Sequence, residues 1–174
     1  MPAVIQQHDI PAVIRSIGGL NPADYVEVFA VATNGASAAS PEQWFCTAIE
    51  DVAGQGGQFI WRRLLGLRLD SRAAADRLGG WKIGARGDDW IRIEASSWFL
   101  TAHLVARLEG GHLWAATLIR YDHPIARLIW LPASAVHRRL MPGLLQQTVR
   151  LRSQLSESVT QRRQQPAARS EGGQ

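Results

Sequence analysis

The sequence predicts an α+β protein in which an antiparallel sheet wraps on a long, kinked C-terminal helix. Two patterns point there. From Trp81 to Tyr121 the residues alternate apolar and polar like successive antiparallel strands joined by glycine-containing turns. Directly after them, a helical stripe runs from Ile125 to Leu155. A third observation sets the scale: 174 residues, 46% hydrophobic and with seven Trp, are enough for one folded domain with a real core.

The elements follow in chain order. Asp9 can cap a short helix striped by Ile10, Val13, Ile14 and Ile17 and stopped by Gly18-Gly19, so residues 1–23 read as a short helix and linker. Tyr25–Ala32 alternates as a strand. Ser40-Pro41-Glu42-Gln43 opens a helix, with Ser40 as N-cap, Pro41 in the first turn and Gln43 completing a capping box. Trp44, Ala48 and Val52 line its buried side. The run Gly54–Gly57 breaks it, Phe59–Leu67 makes a second short helix, and Asp70 or Ser71 caps a third fragment ending at Gly79-Gly80.

In the meander, a three-residue loop Gly87-Asp88-Asp89 pairs Arg86 with Trp90, Ile83 with Ile93 and Lys82 with Glu94. Apolar residues then oppose apolar ones, and a cation opposes an anion. Gly110-Gly111 is a two-residue hairpin turn. It pairs Leu108 with Leu113, Ala106 with Ala115, Leu104 with Thr117, Ala102 with Ile119 and Leu100 with Tyr121. This is the inner face, with Ala102, Ala106, Ala115 and Thr117 at its middle and Trp81 and Trp98 also turned inward. The other face carries Phe99, His103, Arg107, Trp114 and Leu118, with Arg107 placed to lie over Trp114. Asp122 caps the final helix, where Ile125, Leu128, Ile129, Val136, Leu140, Leu144, Leu145, Thr148, Leu151 and Leu155 form the stripe. Pro132 and Pro142 each remove a donor and predict segments or kinks. Residues 24–157 thus form a single domain, and 158–174 a polar Arg/Gln-rich tail unable to bury enough surface to order itself.

Charge and motifs narrow the function. The net charge is +4, but from Arg138 onward seven Arg face two Glu, and the remainder of the chain is at −1. The basic character therefore belongs to the last helix and tail, and a nucleic-acid footprint across a folded surface is disfavoured. Cys46 is the only cysteine, which excludes an intramolecular disulfide and fits a reducing, cytoplasmic setting. No basic leader opens the chain and no apolar run approaches a bilayer's thickness. The five His (8, 103, 112, 123, 137) share no ligand spacing, so neither a metal nor a cofactor is expected. Gly54–Gly57 lacks the strand and Lys of a phosphate loop, and Arg86-Gly87-Asp88 and Asp89 are turn residues. There remain two hydroxyls on the inner face, Thr117 and Tyr121, and His137 on the helix, which can reach a pocket mouth. Tyr121 as a polar handle and His137 as an acid/base are the catalytic candidates.

The order of elements resembles the helix-grip (START-like, SRPBCC) fold. More narrowly, Gly80-Trp81 at the head of the meander, and Trp130 followed by Pro132, His137 and Met141-Pro142, resemble the bacterial "domain of unknown function 2867" family over roughly residues 24–150. The chain shows fewer clear strands than the six or seven of a full grip. The resemblance implies a small hydrophobic ligand, lipid or polyketide-like, held between sheet and helix by Trp81, Ile83, Ile93, Trp98, Leu100, Ala102, Thr117, Ile119 and Tyr121 on one side and Met141, Leu144 and Leu145 on the other. Any catalysis would be cofactor-free and cyclase- or aromatase-like. Because family members also occur fused to oxidoreductase domains, an interaction module that docks such a protein is the alternative, and nucleic-acid binding through the basic C-terminal helix and tail is a second one.

Overall fold

A computed structural model describes residues 2–33, 39–70 and 74–164. Its elements are β1 (Val4–Gln7), α1 (Ala12–Gly18), β2 (Tyr25–Ala32), α2 (Pro41–Cys46), α3 (Gly54–Phe59), β3 (Arg77–Leu78), β4 (Trp81–Arg86), β5 (Trp90–Ser96), β6 (Leu100–Glu109), β7 (His112–Tyr121) and α4 (Ile125–Gln164). Wider π-type turns, Thr47–Ala53 and Ile60–Leu64, prolong α2 and α3. The strands form one antiparallel sheet in the order β1-β2-β7-β6-β5-β4-β3. With α2, α3 and the long α4 on one face, the chain has the helix-grip arrangement that the sequence predicts.

Seven strands, rather than a depleted set, complete the sheet. Two of them escape the sequence reading. β1 lies in the segment read as helix and linker, and it adds to the β2 edge with Val4 opposite Val31. β3 replaces the third helical fragment: Leu78 pairs with Trp81, and Gly79-Gly80 takes positive φ values of 56° and 89° to turn the hairpin. Ser71, offered as a cap there, lies outside the described residues. Likewise, only Gly54 (φ 46°) breaks the earlier helix, and α3 starts at that residue, well before Phe59.

Turn chemistry decides where the register reading holds. Every predicted β6–β7 pair is present, from Leu100–Tyr121 to Leu108–Leu113. In β4–β5, Lys82–Glu94 and Ile83–Ile93 form as predicted, but a bulge at Gly84 then shifts the pairing and sets Arg86 opposite Ile91 instead of Trp90. The Glu94 carboxylate occupies the space a Cβ at Gly84 would need, so any other residue at the bulge would have to displace that side chain. The Ser40–Gln43 capping box forms with reciprocal bonds of 3.3 and 3.1 Å. Two other caps differ. Pro11, not Asp9, precedes α1. Before α4 the Ile125 N–H donates to His123 Nδ1 at 3.3 Å, while Asp122 is taken up by Thr101 and Arg120.

Both faces of the sheet are covered. On the α4 face, Trp44, Phe45 and Ile49 of the α2 segment join Ile91, Ile93, Leu100, Ile119, Trp130, Leu145 and Val149 in one core. The face read as outer is sealed by α1 and its flanks, where Ile14 and Leu20 pack on Val28, Val105, Ala116 and Leu118. Arg107 is engaged by Asp89 at 2.8 Å and Glu109 at 2.9 Å.

The helix α4 is continuous through Pro132 and Pro142 and extends to Gln164, past the boundary drawn at residue 157; residues 165–174 lie outside the described residues. Its buried stripe overlaps the predicted one only in part, at Leu145 and Thr148 with Ile129 and Leu144 at the margin. Ala126, Trp130, Ser134, Leu145, Thr148 and Val149 face the sheet, whereas Ile125, Leu128, Val136, Leu140 and Leu155 are exposed. The sequence offers apolar residues on two sides of this helix, around Trp130 and around Leu128. The arc with small residues beside Trp130 is the one that the sheet accepts.

Candidate functional site

Alternation along β2 turns Tyr25, Glu27 and Phe29 to the α4 face, while Val26 and Val28 face α1. A carboxylate is thereby carried into the core: the Glu27 side chain is 1% exposed. Such a charge survives only if donors surround it. Tyr25 Oη–H donates to Glu27 Oε2 at 2.9 Å, His137 Nδ1 meets the same oxygen at 2.8 Å, and Gln6 Nε2 from β1 reaches Oε1 at 3.4 Å. Arg138 donates to the Tyr25 hydroxyl at 3.1 Å and to Ser134 Oγ at 3.4 Å. Burial, reinforced by the Glu27 hydrogen bond and charge, pushes the Tyr25 phenol up to about 12, so it stays a donor.

The helix supplies the other wall. Trp130, Ser134, His137 and Arg138 follow one another at helical spacing on the inward side of α4. Trp130 packs edge-on against Tyr25 (ring centroids 5.4 Å apart) and lies 5.9 Å from the His137 ring. Its indole N–H is buried with no hydrogen-bond partner, as are those of Trp44 and Trp81 in the same core. His137 keeps 27% of its side chain exposed. With Nδ1 engaged by a carboxylate, the neutral ring carries its lone pair on Nε2.

The predicted ligand-lining residues fall into three groups. Trp81, Ile93, Leu100, Ala102, Thr117, Ile119 and Leu145 do share the α4 face, but each is at most 4% exposed and enclosed by other side chains. Ile83, Tyr121, Met141 and Leu144 lie at the margin of that core, partly buried. Trp98 is 61% exposed; it sits in the β5–β6 turn instead of in a strand, edge-on to Phe99 and tilted against His123. Thr117 is directly opposite Glu27 in the sheet, which ties one predicted hydroxyl to the cluster. Of the catalytic candidates, His137 is in the cluster. Tyr121 is half-buried, its phenol raised by burial and by the nearby Asp24 charge. Tyr25 and Glu27 escaped notice because their segment reads as an ordinary strand. The available signal was parity: Glu27 occupies the same side of the strand as Phe29.

Other groups lead nowhere chemically. An open hollow of about 560 Å³ on α2–α3 is lined by Glu50, Gln58, Phe59 and Arg62 among others. Its polar groups serve the fold, Arg62 donating to Gln58 and to the Leu69 carbonyl, and Glu50 accepting from Gly79 N–H. Burial and the Glu50 hydrogen bond push the Cys46 thiol up to about 11, the opposite of a nucleophile. His103 is buried on the α1 face, with Nδ1 2.8 Å from the Gly18 carbonyl. Among the described residues no three His, Cys, Asp or Glu are grouped to hold a metal ion, and no helix is long and apolar enough to cross a membrane. No family model matches the chain, and no curated protein or solved structure matches it.

Proposed function

We propose that the protein binds a small, mainly apolar molecule at the margin of the sheet–helix core, in the manner of START and polyketide-cyclase-like proteins. One observation carries the reading: an otherwise apolar interface holds a convergent polar cluster, Tyr25, Glu27 and His137, beside the unpartnered indole N–H of Trp130. Apolar walls with a few converging polar groups are the usual character of a small-molecule site. Buried orphan donors ask for an acceptor that the chain does not itself provide. The enclosed centre of the core argues for a ligand at its partly buried edge, against Tyr25, Tyr121, Ile129, Ala133 and Met141. The resemblance to the domain-of-unknown-function 2867 family agrees with this reading.

The test is uptake of 1-anilinonaphthalene-8-sulfonate by the folded protein, alongside native mass spectrometry for a retained molecule. Saturable fluorescence that is lost in Ala133→Trp, which fills the margin, is the expected result. No retained molecule and no saturable uptake by folded wild-type protein would sink the proposal. A second reading has its own observation: Leu128, Leu131, Val136 and Leu140 expose an apolar outer side of α4. That favours an interaction module, and a pulled-down protein partner lost in Leu128→Lys would support it.

A further inference from the structure

We infer that His137 is a general base, oriented by Glu27, that removes a proton from a carbon next to a carbonyl group in a small apolar ligand. The inference rests on the ligand-binding reading above and adds the chemistry of the site. Three features carry it. The buried Glu27 carboxylate fixes His137 Nδ1–H at 2.8 Å, which selects the tautomer with its lone pair on Nε2. His137 stays partly exposed (27%) although its partner is sealed (1%), so the ring is the member of the pair that a ligand can approach. Trp130, with its ring 5.9 Å from the imidazole, brings a buried N–H that nothing in the protein uses. A base next to an uncommitted donor is the combination that proton abstraction beside a carbonyl requires, because the negative charge moves to an oxygen that must be met by a hydrogen bond.

The step balances without a further reagent. The C–H bond breaks, its proton goes to His137 Nε2, and the electron pair moves through the carbon to the carbonyl oxygen as an enolate. Trp130 Nε1–H donates to that oxygen, and Glu27 stabilises the imidazolium. Return of the proton to carbon regenerates the neutral ring. Glu27 is a positioning residue in this scheme. Tyr25 and Gln6 hold its remaining lone pairs, and Arg138 is the cation next to it through Tyr25.

Two measurements on the full chain test the inference. Acylation by diethyl pyrocarbonate, followed histidine by histidine with mass spectrometry, reads the availability of each neutral imidazole. Access alone would make His137 slower than the exposed His8, His112 and His123; an oriented Nε2 makes it the fastest, by about fivefold or more. Glu27→Gln should remove that advantage and leave the rates of the other histidines unchanged. Exchange of the α-hydrogens of 2-tetralone in D₂O, followed by NMR, reads the chemistry. It should run at least tenfold above buffer, be lost in His137→Gln and be reduced in Trp130→Phe. A His137 no faster than His123 in wild-type protein overturns the inference without requiring any variant to fold. Tetralone that binds by saturation-transfer NMR but does not exchange overturns it too, and leaves the ligand reading standing. Tetralone that does not bind overturns the inference as well, while the ligand reading stands or falls on the uptake test above.

Discussion

Each face of the sheet buries an ionisable side chain, and the two are held in different ways. On the α1 face, His103 is 7% exposed and points Nδ1 at a backbone carbonyl, that of Gly18 at the end of α1. On the α4 face, Glu27 is held entirely by side chains: Tyr25, Gln6 and His137. Each histidine bonds through Nδ1 and leaves its Nε2 over; what differs is that His103 is buried against the end of α1, whereas His137 keeps 27% of its side chain exposed. The difference separates a histidine enclosed between α1 and the sheet from one left partly open at the margin of the α4 face.

Three substitutions sharpen the contrast. The largest effect is expected from Glu27→Ala, which strands Tyr25 and His137 and leaves a hole in the α4 face. Loss of one partner of a buried pair predicts about 3 kcal/mol of destabilisation in denaturant unfolding. A loss under about 1 kcal/mol would mean that the cluster is wetter and looser than the geometry describes. Next comes Ala106→Leu at the middle of the same face. Ala106 is 2% exposed and opposes Ala115, so overpacking should cost about 2 kcal/mol. A neutral result would place an open cavity at the centre of the core instead of at its edge.

The smallest effect, about 1 kcal/mol, is expected from His103→Phe, and its signature is in the pH dependence. Burial lowers the His103 pKa from 6.5, against opposing contributions from the Gly18 bond and Glu94 and with Arg92 and Arg120 adding to the lowering. Because the folded pKa lies below the unfolded one, the unfolded chain binds the extra proton first. The stability from this group is therefore complete above about pH 6.5 and is lost as the pH falls through the folded value. His103→Phe should flatten that acid slope. Hydrogen exchange at α1 is the second readout, since the amides of Ala12–Gly18 should open more readily once the Gly18 anchor is gone. An unchanged acid slope would assign it to other groups.

The fold was largely legible, and the site only in part. Local chemistry marks the Ser40–Gln43 cap and the Gly110-Gly111 turn, and the latter fixes ten residues of register on each of its strands. The β3 strand of two residues is too short to show a period, and β1 looks like linker because an edge strand needs only one partner. The bulge at Gly84 was hidden for another reason: alternation alone assumes one residue opposite one.

By itself, the sequence determined the antiparallel meander, the helix that follows it, the absence of any metal-ligand spacing, and His137 as a helix residue able to reach a pocket mouth. Periodicity and turn residues are local properties, and a local pattern suffices for them. Only the tertiary structure decided that α4 turns its Trp130 arc inward and its Leu128 arc outward, and that Glu27 meets His137 across 110 positions of chain. Both arcs of α4 satisfy the same helical period, and β2 alternates equally well with or without a partner for its carboxylate. The choice is made by packing: the small residues around Trp130 let the helix approach the sheet, and that approach brings the imidazole within hydrogen-bond distance of the buried Glu27 carboxylate.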